Sequence, residues 1–94
     1  MEEKDMTIFN AAITELEGKQ VAIIWLDKKF LHNKEEIDKH MKFYKDLIKS
    51  PFTIIMILDE NEKPHYYGDL SIIEILTRTV WKKLPWQQYE IDKA

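Results

Sequence analysis

No cysteine occurs in this chain, and glycine and proline are scarce, at two and three residues of 94. The missing thiols exclude a disulfide framework, a thiolate zinc site, a thiol nucleophile and a CxxC redox pair. Their absence fits a reducing compartment. With only Gly18 and Gly68 available, the chain can build no Walker loop, dinucleotide fingerprint or GxSxG elbow. Serine is just as sparse. Ser50 stands beside a proline and Ser71 at a helix start, so nucleophilic catalysis has little to work with. No apolar run approaches the ~20 residues that span a bilayer. The leading MEEKDMT is acidic and lacks an apolar stretch, so it reads as neither signal peptide nor anchor. These absences describe one cytoplasmic domain, residues 1–94, with no membrane role and no cofactor.

What is present is a core. Hydrophobic residues make up 45% of the chain and eleven residues are aromatic, a composition that packs into a globule rather than staying disordered. The net charge of −3 is too small to mark a nucleic-acid mimic or binder. Its distribution is a patchwork: residues 1–17 and 59–74 are acidic, and residues 28–49 carry seven lysines. Mixed charge of this kind keeps a small surface soluble.

Local patterns give the organisation. Phe9, Ala12, Ile13 and Leu16 recur at helical spacing, with Asp5 or Thr7 as N-cap and Gly18 as a left-handed stop, which predicts a helix over 6–17. VAIIWLD, residues 21–27, is apolar at successive positions, the mark of a strand covered on both faces. Asn33 and Glu36 form a capping box ahead of Ile37, Met41, Tyr44, Leu47 and Ile48, predicting a helix over 33–49 that Pro51 terminates. FTIIMIL, residues 52–58, is a second doubly covered strand. DENEK is a turn, and Pro64 opens a short edge strand through Tyr67. Asp69, or Ser71 with Glu74, caps a last helix through Ile72, Ile73, Leu76 and Val80, which Pro85 stops near Leu84. Residues 85–94 remain as an aromatic tail. The fold class is α/β, with α+β the alternative: an α-β-α-β-β-α order and a sheet of three or four elements covered by helices.

This order resembles the thioredoxin-like fold between about Phe9 and Val80. Pro51, ahead of the strand at Phe52–Leu58, and Gly68, ahead of the last helix, stand where that family has a proline, usually cis, and a glycine. The resemblance implies a thioredoxin-like layout. The family's first strand has no equivalent here and its CxxC is missing, so no redox activity carries over.

Several surfaces could hold chemistry. Asp27 and Asp59-Glu60 follow the two buried strands; if those strands are parallel neighbours, the carboxylates meet at the sheet end where open α/β sheets bind ligands. Asp27, Asp59 and Glu60, with His65, form the candidate metal set for a small metal-assisted hydrolase. The simpler reading is that strands end in polar residues as the chain returns to water. Lys42, Lys45 and Lys49 could meet phosphates or a nucleic-acid backbone, though Asp38 and Asp46 interrupt them and a solvated helix face accounts for the pattern better. His32 and His40 have no partner at ligand spacing. The aromatic set Tyr66, Tyr67, Trp81, Trp86 and Tyr89 is the leading interaction surface, because tryptophan and tyrosine dominate interface hot spots. The tail either closes the chain's own core or packs on a partner, and the Tyr66-Tyr67 edge could pair with its mate in a homodimer. The function expected is therefore a non-enzymatic interaction or regulatory domain binding a protein partner or itself. Nucleic acid ranks behind.

Overall fold

The structure, a computed structural model, describes residues 6–92. Strand β1 (Met6–Leu16) turns back as β2 (Lys19–Leu26), and a 3₁₀ turn at Lys28–Phe30 leads to helix α1 (Lys34–Ile48). Then follow β3 (Phe52–Leu58), β4 (Pro64–Tyr67) and helix α2 (Leu70–Thr77). A second 3₁₀ turn at Trp81–Lys83 precedes β5 (Trp86–Asp92). The five strands form one sheet in the order β4-β3-β2-β1-β5. Only β2 and β3 are parallel; β1–β2, β1–β5 and β3–β4 are antiparallel.

The side chains of alternate strand residues divide the core in two. Phe9, Ala11, Ile24, Leu26, Ile55 and Ile57 pack with Ile37 and Tyr44 of α1. Ala12, Val21, Ile23, Ile54 and Met56 pack with Ile72 and Leu76 of α2 and with Leu84. The sheet is thus a middle layer, with α1 on one face and α2 on the other, which is why β2 and β3 are apolar at nearly every position. Among the described residues no helix is long and apolar enough to cross a membrane.

The central elements follow their predicted bounds. The FTIIMIL strand spans 52–58 as read. Asn33 caps α1, its side-chain oxygen accepting from the Glu36 backbone N–H at 3.2 Å. Asp69 caps α2, accepting from the N–H groups of Ser71 and Ile72. The run β2-α1-β3-β4-α2 follows the expected order, but the resemblance also needed a helix from about Phe9, and strand β1 stands there instead. Every peptide bond among the described residues is trans, Ser50–Pro51 included.

Three expectations are corrected. Residues 6–16 are a strand, not a helix. Their apolar residues fit a 3.6 period because the covered face changes along β1, from the α1 side at Phe9 and Ala11 to the α2 side at Ala12 and Leu16, with Ile8 and Asn10 exposed, while Thr7, Ile8, Ile13 and Thr14 favour extended backbone. Thr7 lies in β1, and Asp5, the other cap candidate, lies outside the described residues. Gly18 ends no helix. With φ of +48° and +81°, Glu17 and Gly18 form the tight two-residue turn that hairpins favour. The last helix stops at Thr77, well short of Leu84. Arg78 N–H donates to the Ile75 carbonyl and the Thr79 hydroxyl to the same oxygen, and such i−3 and i−4 bonds close a helix end. Finally, the tail is no appendage. Residues 86–92 form β5, the fifth strand of a sheet for which three or four elements were expected.

Candidate interaction groove

A hollow wraps around the far end of β4, where the chain crosses from the sheet edge to α2. It measures about 810 Å³, within the range of about 300–1,000 Å³ typical of ligand sites. One stripe of α1 forms a wall through Lys34, Ile37, Asp38, Met41 and Lys45, residues at the helical repeat. The opposite wall is Asp69, Leu70 and Ile73 at the start of α2, and the floor is Phe52, Thr53, Tyr66, Tyr67 and Gly68. Leu70 is 81% exposed, so its side chain stands open to solvent at the rim of the hollow.

The hydrogen-bond register explains why a hollow forms there. Asp59 N–H donates to the Lys63 carbonyl at 3.0 Å. Counting along the β3–β4 register, Ile57–His65 and Ile55–Tyr67 are the hydrogen-bonded pairs, because antiparallel ladders alternate. Pro64 and Tyr66 consequently face away from β3. Proline has no N–H to present, which suits it to an edge, so Tyr66 offers the outward N–H of this short strand. The ladder ends at Ile55–Tyr67, one step before Thr53, since the chain turns off at Gly68. Gly68 has φ of +140°, and a Cβ there would lie 2.7 Å from Ile54 Cδ1 and 3.0 Å from the Thr53 carbonyl oxygen. Only glycine allows this close crossing.

Thr53 and Tyr66 leave polar atoms unsatisfied at this floor. Thr53 is 3% exposed, and neither its Oγ1 nor the Tyr66 hydroxyl has a hydrogen-bond partner among the described residues. Burial raises the Tyr66 phenol above its ordinary pKa. A buried, unpaired hydroxyl costs roughly 1–3 kcal/mol, and the two lie on opposite faces of the sheet, Tyr66 with the α2-side cluster and Thr53 on the side of Ile55 and Ile57.

A second hollow of about 340 Å³ lies at the carboxyl ends of β2 and β3, lined by Trp25, Asp27, Asp59, Glu60 and Glu62. The parallel pairing does bring Asp27, Asp59 and Glu60 together. Their chemistry is turn-making, however. Asp59 Oδ1 accepts from the Asn61 and Lys63 N–H groups at 2.8 and 3.0 Å, and Oδ2 pairs with His65 Nε2 at 3.0 Å. These bonds, the one from Lys63 above all and then that from His65, hold the Asp59 carboxyl down at a pKa of about 2. Asp27 accepts from the Lys29 N–H and caps the first 3₁₀ turn. Among the described residues no three histidine, aspartate or glutamate side chains are disposed to share a metal ion. His65 does have a neighbour not evident from spacing: the His32 ring stands edge-on at 6.0 Å.

The five aromatic residues expected to form one surface are split between the two faces. Trp81 and Trp86 pack around Trp25, with ring centroids 5.2 and 5.3 Å away. The Trp86 indole N–H donates to the Trp81 carbonyl at 2.8 Å, and Tyr66 packs with the same cluster. Tyr89 stacks on Phe9 at 5.5 Å, on the α1 face with Tyr67. The tail aromatics therefore complete the chain's own core. Of the lysines, Lys45 lines the groove, while Lys42 is exposed and Lys49 is the left-handed C-cap of α1. Thr53 and Leu70 escaped the sequence reading, although Thr53 is the single polar residue of FTIIMIL and a signal was therefore present.

No family model, curated protein or solved structure matches the chain.

Proposed function

We propose that this is a non-enzymatic interaction domain that receives an extended segment of a protein partner along the outer side of β4 and into the groove beyond it. The observation that carries this reading is the Thr53 hydroxyl, buried and unpaired at the floor of a groove of mixed apolar and charged lining beside an open strand edge. Added strands bind through main-chain hydrogen bonds and gain specificity from side-chain pockets. The two lysines and two aspartates on the walls balance, which favours an uncharged, apolar segment over an acidic or basic one. A cytoplasmic setting belongs to the same reading, since a cysteine-free chain is at home where thiols stay reduced.

The strand-end carboxylates support a metal-assisted hydrolase less well, because Asp59 already spends both oxygens on its own turn. A lysine-based nucleic-acid accessory role has only the exposed side of α1 behind it.

Selection of extended peptides from a random display library on the full chain tests the proposal. Peptides that bind the protein and lose binding to Leu70→Asp support it, since Leu70 is too exposed for its replacement to disturb the core. Peptides that bind the variant equally, or a selection that enriches none, refute it.

A further inference from the structure

We infer that the chain self-associates through β5, its edge pairing antiparallel with the same edge of a second copy to extend the sheet across both molecules. The hydrogen-bond phase of the sheet leaves this edge open. Leu16 and Lys19 flank the two-residue β1–β2 turn and so form a hydrogen-bonded pair, and even-numbered residues of β1 bond β2 from there on. Odd-numbered residues, Phe9 and Ala11 among them, then bond Tyr89 and Gln87 of β5. The backbone groups of Gln88 and Glu90 are left pointing outward from the sheet. Trp86 N–H is already used by the Leu84 carbonyl at 2.8 Å.

The two sheet edges differ in how they are defended. At β4 the outward positions are Pro64 and Tyr66, and symmetric pairing there gains little because proline blocks one donor. At β5 no proline, bulge or lysine interrupts Trp86–Asp92, and such edges invite pairing. This moves the homodimer expected at the Tyr66-Tyr67 edge to the opposite side of the molecule.

Charge selects the register. With the two-fold axis at Tyr89, each Gln88 faces Glu90 of the other copy and exchanges both backbone hydrogen bonds with it. A carboxylate then meets an amide, and the two Tyr89 rings, each stacked on its own Phe9, become cross-strand neighbours on the α1 face. An axis at Glu90 would instead oppose two like charges, which is unfavourable. A single strand edge buries less than the roughly 1,200 Å² of stable specific interfaces, so the dimer is a weak one, forming at micromolar concentration or above.

Sedimentation equilibrium over a concentration series reads this directly. The mass is expected to move from 11.3 kDa toward twice that value. Gln88→Pro, which deletes an outward N–H while sparing the inward bonds to β1, is expected to hold the monomer mass with its circular dichroism unchanged. Because the chain has no cysteine, Tyr89→Cys gives an independent reading: oxidation should cross-link it to a covalent dimer, whereas Tyr66→Cys should stay monomeric. A wild-type protein that is strictly monomeric at high concentration, a dimer that Gln88→Pro leaves intact, or cross-linking through Tyr66→Cys and not Tyr89→Cys would each overturn the inference.

Discussion

Replacing Gly68 by alanine probes the crossing on which the groove depends, and its cost can be worked out from the geometry. The backbone at Gly68 has φ of +140°, a region essentially reserved for glycine, and holding another residue there costs about 1–3 kcal/mol. The new methyl would also stand 2.7 Å from Ile54 Cδ1, 3.0 Å from the Thr53 carbonyl oxygen and 3.4 Å from Met41 Cε. Ile54 is fully buried and the Thr53 carbonyl is main chain, so neither yields easily. Overpacking of this kind adds about 1–3 kcal/mol. The sum is about 2–6 kcal/mol, which in a domain of this size lowers Tm by roughly 10–45 °C. Gly18→Ala is the control. Its φ is +81° and nothing lies within 4 Å of an added Cβ, so it pays only the left-handed penalty, about 1 kcal/mol. Urea denaturation of both variants gives the comparison. A loss for Gly68→Ala no greater than that for Gly18→Ala would refute the close crossing.

Three further outcomes follow from named contacts. Thr53→Val removes a buried hydroxyl that has no partner, so it should raise stability by about 1 kcal/mol in thermal melts while weakening any peptide selected on the groove. Asp59, held at a pKa of about 2 against about 3.9 for an ordinary aspartate, binds fewer protons folded than unfolded between those values. Its stabilisation is therefore full above about pH 4 and lost as pH falls through about 2, and Asp59→Asn should flatten the Tm–pH curve in that window. Trp86→Phe loses the indole bond to the Trp81 carbonyl and should cost about 1–2 kcal/mol in urea denaturation, most of it from that bond and the lost ring area.

The middle of the chain was legible because its signals are local. Pro51, the continuous FTIIMIL run, the Asn33 cap and Pro64 each act within a few residues, and β3, α1 and β4 lie where they predict. Strand β1 misleads because its buried side switches between Ala11 and Ala12, which breaks the alternation that distinguishes strand from helix. Strand β5 was read as a tail because its partner is β1, some eighty residues earlier in the chain, and pairing across that distance leaves no local mark. That error also scattered the aromatic surface: Trp86 and Tyr89 alternate faces once extended, and a truncation after Leu84 would strip an edge strand rather than a binding arm. The Tyr66 edge was visible from sequence. The groove around it was not, since it needs a stripe of α1, the end of β4 and the start of α2, which only the topology assembles.

The placement of the functional surface at β4 is the claim on which the rest turns. Titrating the ¹⁵N-labelled protein with a peptide selected on the full chain, and mapping the backbone amide shifts, tests it most directly. The largest shifts are expected at Thr53, Tyr66, Gly68 and Leu70, with Trp25, Trp81 and Trp86 unmoved; shifts centred on the tryptophan cluster or on β5, with the groove silent, would contradict a partner site at β4.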